Sequence, residues 1–93
     1  VDAIITINIG EIKVASKGTI KHYSTSGGFA DIKKEGTVLI LETLELATDI
    51  DKDRANRSIK KAMTDLNDKD KIDDAKSALK RAHNRMRISN KVS

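Results

Sequence analysis

Apolar residues in the first forty positions recur at every second place, and from Thr48 onward they recur at helical spacing. Ile5, Ile7 and Ile9 alternate with Thr6 and Asn8. Gly10 breaks the phase, and Ile12 and Val14 resume it, as at a bend or bulge. Ser16-Lys17-Gly18 reads as a tight turn, with Thr19–Thr25 as its return strand. Gly27-Gly28 punctuates the chain before Phe29-Ala30-Asp31-Ile32. Lys33-Lys34-Glu35-Gly36 makes a second hairpin turn, and Thr37-Val38-Leu39-Ile40-Leu41 follows as a strand apolar enough to be covered on both sides. The pattern predicts a meander of β-hairpins over residues 1–41. Some forty residues of meander lie near the lower limit for burying a core, so this half is expected to need more chain or another subunit.

In the second half Ala55, Ile59, Ala62 and Leu66 mark one helix, and Ile72, Ala75, Leu79, Ala82 and Met86 a second. Thr48 or Asp49 is the expected N-cap of the first, with Asp49, Asp51 and Asp53 in its first turn. Asn67-Asp68-Lys69-Asp70 is the expected turn, with Asp70 capping the second helix. In an antiparallel hairpin turning there, facing positions sum to about 137, so each seam residue meets an apolar partner. Alanine in the seam lets the helices approach but buries little area. At about 25 cal/mol per Å² such a hairpin is thinly held and separates at low cost. Strands followed by a helical hairpin make the chain α+β.

Composition narrows the possibilities. With no Cys, Pro or Trp, disulfides and thiolate metal sites are excluded, and burial falls to Ile, Leu, Val, Ala and Met. The apolar run at 3–9 is too short to span a bilayer and lacks a basic region before it, so neither a membrane helix nor a signal peptide is read. The net charge of +4 is unevenly placed: residues 1–48 carry −1 and residues 49–93 carry +5, which suits an acidic partner.

The hairpin register brings Asp51 and Arg54, at the start of one helix, beside Arg81 and Arg85 near the end of the other. Clustered guanidiniums repel unless an anion joins them, and their forks match phosphate oxygens. A carboxylate close by, Asp51 or Glu45, accepts hydrogen bonds from an adenine amino group or a ribose hydroxyl, so the set suits ATP. The plainer alternative is an Asp51–Arg54 surface ion pair of about 0.3–0.5 kcal/mol beside solvated arginines. His22 and His83 lie on different elements without a further ligand at metal spacing, so no metal site is expected. Gly27-Gly28 does not join a strand to a helix and reads as a turn, not a phosphate loop. No nucleophile, base and orienting group can be assembled, so catalysis by this chain alone is not expected.

Ser26-Gly27-Gly28-Phe29 before an aliphatic strand, then Glu45, Ile50-Asp51-x-x-Arg54-Ala55 and Ala78-Leu79-Lys80-Arg81-Ala82-x-Asn84-Arg85, closely resemble the ε subunit of bacterial F-type ATP synthase. The resemblance runs from about Ile4 to Ile88. It implies a partial antiparallel β-sandwich over residues 1–46, followed by a helical hairpin regulatory domain over 47–93. It implies a non-catalytic rotor subunit of the central stalk, touching the γ subunit, the membrane c-ring and the β and α subunits. The chain would lie peripherally on the cytoplasmic face of the bacterial inner membrane, in a proton- or sodium-translocating complex.

The resemblance also implies a hairpin that folds against the strands or extends along γ to restrain hydrolysis. It implies ATP as a regulatory ligand, with no other cofactor, held by Glu45, Asp51, Arg54, Ala55, Lys61, Arg81 and Arg85. Lys61 stands where a nucleotide-binding member has arginine, keeping the charge but not the planar fork. The family has some forty residues more at its N-terminus, and this chain, beginning with Val1, reads as its C-terminal two-thirds. Two alternatives accompany this reading: a small basic nucleic-acid-binding protein, which lacks stacking aromatics and a continuous basic stripe, and a helical-hairpin adaptor. Within the family, nucleic acid is not an expected partner.

Overall fold

The computed structural model describes residues 2–92; Val1, which prompted the expectation of missing upstream chain, and Ser93, the end of the expected hairpin domain, lie outside them. Strands β1 (Ala3–Ile7), β2 (Gly10–Ser16), β3 (Thr19–Thr25), β4 (Gly28–Lys33), β5 (Gly36–Leu41) and β6 (Glu45–Leu46) precede a 3₁₀ turn at Ala47–Asp49 and helices α1 (Lys52–Asp65) and α2 (Ile72–Ser89). All strand pairings are antiparallel. The α+β class with strands first and a two-helix hairpin after is the observed architecture.

The strands do not form a meander. They make two sheets, β1-β4-β5 and β2-β3-β6, and the chain crosses between them after β1, β3 and β5. Only β2–β3 and β4–β5 are the local hairpins that turn chemistry predicts. Lys17 and Gly18 both take positive φ, 51° and 79°, the two-residue turn that suits strand twist. β1 pairs instead with β4, a non-local choice that alternation of side chains does not encode. The crossing from β3 to β4 depends on Gly28, at φ 153°, because a Cβ there would collide with the carbonyl oxygen of Ile40.

The expectation that β5 is covered on both sides is overturned. Val38, Leu39 and Ile40 are all exposed, so neither face of this strand is covered by the described residues. Cross-strand register places Ile4, Phe29, Val38 and Ile40 on one face, beside Thr6 and Asp31. The Cα radius of gyration, 15.4 Å, exceeds the roughly 12 Å of a compact domain this long.

Burial is concentrated where the hairpin meets β2 and β3. The seam alanines Ala55, Ala62, Ala75 and Ala82 are buried, while Ile59, Leu66, Ile72, Leu79 and Met86 are half-buried beside them. Ala47, Ile50 and Ile88 form the small core at the foot of the hairpin. Both predicted caps move. The chain first makes its 3₁₀ turn at Ala47–Asp49, so the α1 N-cap is Asp51, whose Oδ1 accepts from the Arg54 backbone N at 3.0 Å. For α2 the N-cap is Lys71 without a side-chain cap, and Asp70 lies in the preceding turn, where its N–H donates to Asp68 Oδ1 at 3.0 Å.

Candidate functional site

Arg54 lies in the first turn of α1, and Arg81 and Arg85 lie on α2 one turn apart, on the stripe that also carries Ala78 and Ala82. These side chains form one wall of an open cavity of about 470 Å³. The facing wall is Ser24, Thr25 and Ser26 at the end of β3 and the segment Thr43, Leu44, Glu45 entering β6. A cavity of this size is in the range that holds a nucleotide-sized ligand.

The wall opposite the arginines is preformed. Thr43 Oγ1 donates to Ser26 Oγ at 2.7 Å and accepts from the Ser26 N–H at 3.0 Å, which ties the 43–45 segment to the end of β3. Thr25 Oγ1 accepts from the Gly27 N–H. Glu45 is held by Arg85 through two hydrogen bonds, Nε to Oε1 at 2.8 Å and Nη2 to Oε2 at 3.3 Å. Among the described residues the guanidiniums of Arg54 and Arg81 have no ion-pair partner. Three cations against one carboxylate leave the cavity positive, and the ligand it attracts is an anion.

The remaining expected site residues are placed differently. Ala55 is fully buried in the α1–α2 seam. Asp51 caps α1 through the Arg54 N–H and is absent from the residues lining the cavity. Lys61 lines an adjoining cavity of about 520 Å³ with Lys71, Asp65 and Asp74, and Arg81 borders both. The expected set therefore divides: Glu45, Arg54, Arg81 and Arg85 meet in one cavity, Lys61 stands next door, and Asp51 and Ala55 shape α1. Leu44, Ala78 and Ala82 supply apolar surface that a base could lie against.

Sequence reasoning missed how α2 is seated. Asn84, buried beneath the cavity, donates from Nδ2 to the Gly10 carbonyl at 2.8 Å and to Ser24 Oγ at 3.1 Å. Its Oδ1 accepts from Arg87 Nη2 at 2.7 Å. A poor helix former inside a helix was the available signal, since such a residue often has a tertiary partner. Also missed was the cluster at Glu11, which accepts from Lys91 Nζ and sits against His22 Nδ1, each at 2.7 Å. The hydrogen bond from Lys91, opposed by burial and aided by His22, holds the Glu11 carboxyl below its ordinary value. Among the described residues no group of three or more His, Cys, Asp or Glu gathers at metal-binding distance.

Fold and cavity define a small α+β module, with strands first and a docked helical hairpin carrying the basic wall. The sequence matches the family described as "ATP synthase, Delta/Epsilon chain, long alpha-helix domain" over residues 48–90. It is 33% identical over 91 residues to the ATP synthase epsilon chain of Staphylococcus haemolyticus, spanning 96% of this chain and 68% of that one. It is 31% identical over 93 residues to the epsilon chain of Staphylococcus saprophyticus, spanning 97% and 69% respectively. A chain of the Euglena gracilis mitochondrial ATP synthase structure (OSCP/F1/c-ring, rotational state 1) superposes with a TM-score of 0.75 at 19% identity. That match covers 88% of this chain and 54% of the other, and it speaks for the fold alone. The chain belongs to the family of ATP synthase epsilon chains, central-stalk subunits of F-type ATP synthase. Its partners are thus subunits of that membrane-associated complex, and among the described residues no helix is long and apolar enough to cross a membrane.

Proposed function

We propose that this chain is a non-catalytic rotor subunit whose hairpin senses ATP and regulates hydrolysis by the complex. The observation that supports the reading is the convergence of Arg54, Arg81, Arg85 and Glu45 on one cavity built from both helices and the strand half. The guanidiniums would hold phosphate oxygens, Glu45 would accept from the base or ribose, and Leu44 would cover the base. Because the walls come from α1, α2, β3 and the 43–45 segment, the cavity exists only while the hairpin is docked. A ligand that binds only that state stabilises it by RT ln(1 + [L]/Kd), about 2.7 kcal/mol at a hundredfold excess over Kd. That suffices to bias a hairpin seamed by alanine. High ATP would keep the hairpin docked, and low ATP would release it to extend along γ toward the acidic surface of β and the α–β head, where it restrains hydrolysis.

The exposed apolar face of Ile4, Phe29, Val38 and Ile40 supports the companion proposal that the strand half is buried in the assembly against γ and the c-ring. On this reading the chain would sit peripherally on the cytoplasmic face of the bacterial inner membrane, in a complex coupled to proton or sodium transport. Calorimetric titration of ATP into the protein tests the sensor: a saturable 1:1 heat that Arg81→Ala weakens is expected. Absence of heat removes ATP sensing and leaves the rotor assignment standing.

A further inference from the structure

We infer that Asn84 is the positioning residue that seats α2 on the β2–β3 hairpin, and that it thereby sets the orientation of Arg81 and Arg85 in the cavity. Polar links from Asn84, Arg85 and Lys91 join α2 and the residues after it to the strands. Arg85–Glu45 and Lys91–Glu11 are charge pairs in which Arg85, Glu45 and Lys91 remain 23%, 33% and 34% exposed, so water and salt compete for them, while Glu11 is 11% exposed. Asn84 differs in kind. It is buried, and its amide is satisfied at both ends: two donors to the strands and one acceptor to Arg87.

Its partners fix a register. The Gly10 carbonyl lies on β2 and the Ser24 hydroxyl on β3, and Ser24 is paired with Glu11, the residue after Gly10. One amide therefore bridges two adjacent strands, and sliding or rotation of α2 breaks both bonds together. Leaving the Gly10 carbonyl and the buried amide unpaired is costly away from water, whereas the partly exposed Arg85–Glu45 pair separates into solvent at little loss. Ser24 itself lines the cavity, and Arg85 follows Asn84 in sequence. The same bonds that dock the helix thus connect the hydroxyl wall to the arginine wall. The consequence for affinity rests on the proposed ATP site; the docking role does not.

Lys91 and Glu11 provide a direct readout, because a water-soluble carbodiimide couples an amine and a carboxylate at hydrogen-bond distance into an amide with loss of water. Asn84→Asp removes both Nδ2 donors and keeps the volume. It is expected to lower the yield of the Lys91–Glu11 cross-link about tenfold or more, with helical circular dichroism retained. Coupled Asn84→Asp molecules, isolated after the reaction, are expected to recover most of the ATP affinity that uncoupled ones lose, which a merely destabilised fold would not do. Ser24→Ala, which removes one acceptor, should lower the yield by a smaller factor and serves if Asn84→Asp fails to fold. Unchanged cross-linking in these variants overturns the inference, as does failure of the cross-link to restore affinity. If the unsubstituted protein binds no ATP, the ATP site falls and the cross-link yields alone decide the role of Asn84.

Discussion

Arg85 on α2 grips Glu45 on β6 through a fork of two hydrogen bonds, 2.8 and 3.3 Å long. The pair joins the helical half to the strand half across the mouth of the basic cavity and fixes the plane of one guanidinium before any ligand arrives. Both partners remain partly exposed, 23% and 33%, so the link contributes at most about 1 kcal/mol to stability. Its importance is geometric, since among the described residues the forks of Arg54 and Arg81, which line the same cavity, have no ion-pair partner.

Those two forks should carry most of the affinity for phosphate. Arg54→Ala and Arg81→Ala are each expected to weaken ATP binding about 10- to 100-fold, the loss typical of one charge-assisted hydrogen-bond set. Arg81→Lys should recover only part of it, because the ammonium lacks the planar fork. Calorimetry on proteins with unchanged circular dichroism checks both.

Asp51 should act through the helix end rather than through a ligand. Asp51→Ala removes the acceptor for the Arg54 N–H and is expected to cost about 0.5–2 kcal/mol of hairpin stability in urea unfolding. Asp51→Asn keeps the cap and should keep both stability and ATP affinity. A selective loss of affinity in Asp51→Asn would show that the carboxylate also meets the nucleotide.

The seam tolerates little volume. Ala62, buried at the α1–α2 contact, replaced by Leu is expected to cost about 1–3 kcal/mol by forcing the helices apart. Thermal unfolding followed by the helical signal measures it, and the looser hairpin should bind ATP more weakly.

Docking should weaken in acid. The Glu11 pKa lies below its ordinary value of 4.5, so its contribution is fully present above the unfolded-state pKa and is lost as pH falls through the folded-state pKa. Unfolding curves collected from pH 6 down to about pH 3 should show this loss, and Glu11→Gln should flatten it. The Lys91–Glu11 contact is the first cause of the shift, so Lys91→Ala should remove most of the same dependence.

The helical half was the more legible. The steps between Ala55, Ala62, Ala75 and Ala82 prescribe an antiparallel seam, and those alanines are the buried ones. Helical period also carried Arg81 and Arg85 onto one stripe, which is why three arginines could be assembled from spacing. Alternation identified the strand segments but not their partners: β1 pairs with β4 across an intervening hairpin, and nothing local to Ile5 or Ile7 specifies this. The caps were misplaced because Thr48 and Asp49 are used by a 3₁₀ turn, a tertiary outcome of burying Ala47 and Ile50. The partners of Asn84 and Glu11 were not legible because each bonds to a residue more than seventy positions away.

The central claim is that ATP binds the docked hairpin through walls contributed by both halves of the chain. Amide hydrogen exchange of the full-length subunit, with and without saturating ATP, tests it most directly. The account predicts slower exchange in both α1 and α2 and at residues 43–46, with the effect abolished by Arg54→Ala combined with Arg81→Ala. Identical exchange in these segments with and without ATP would contradict it.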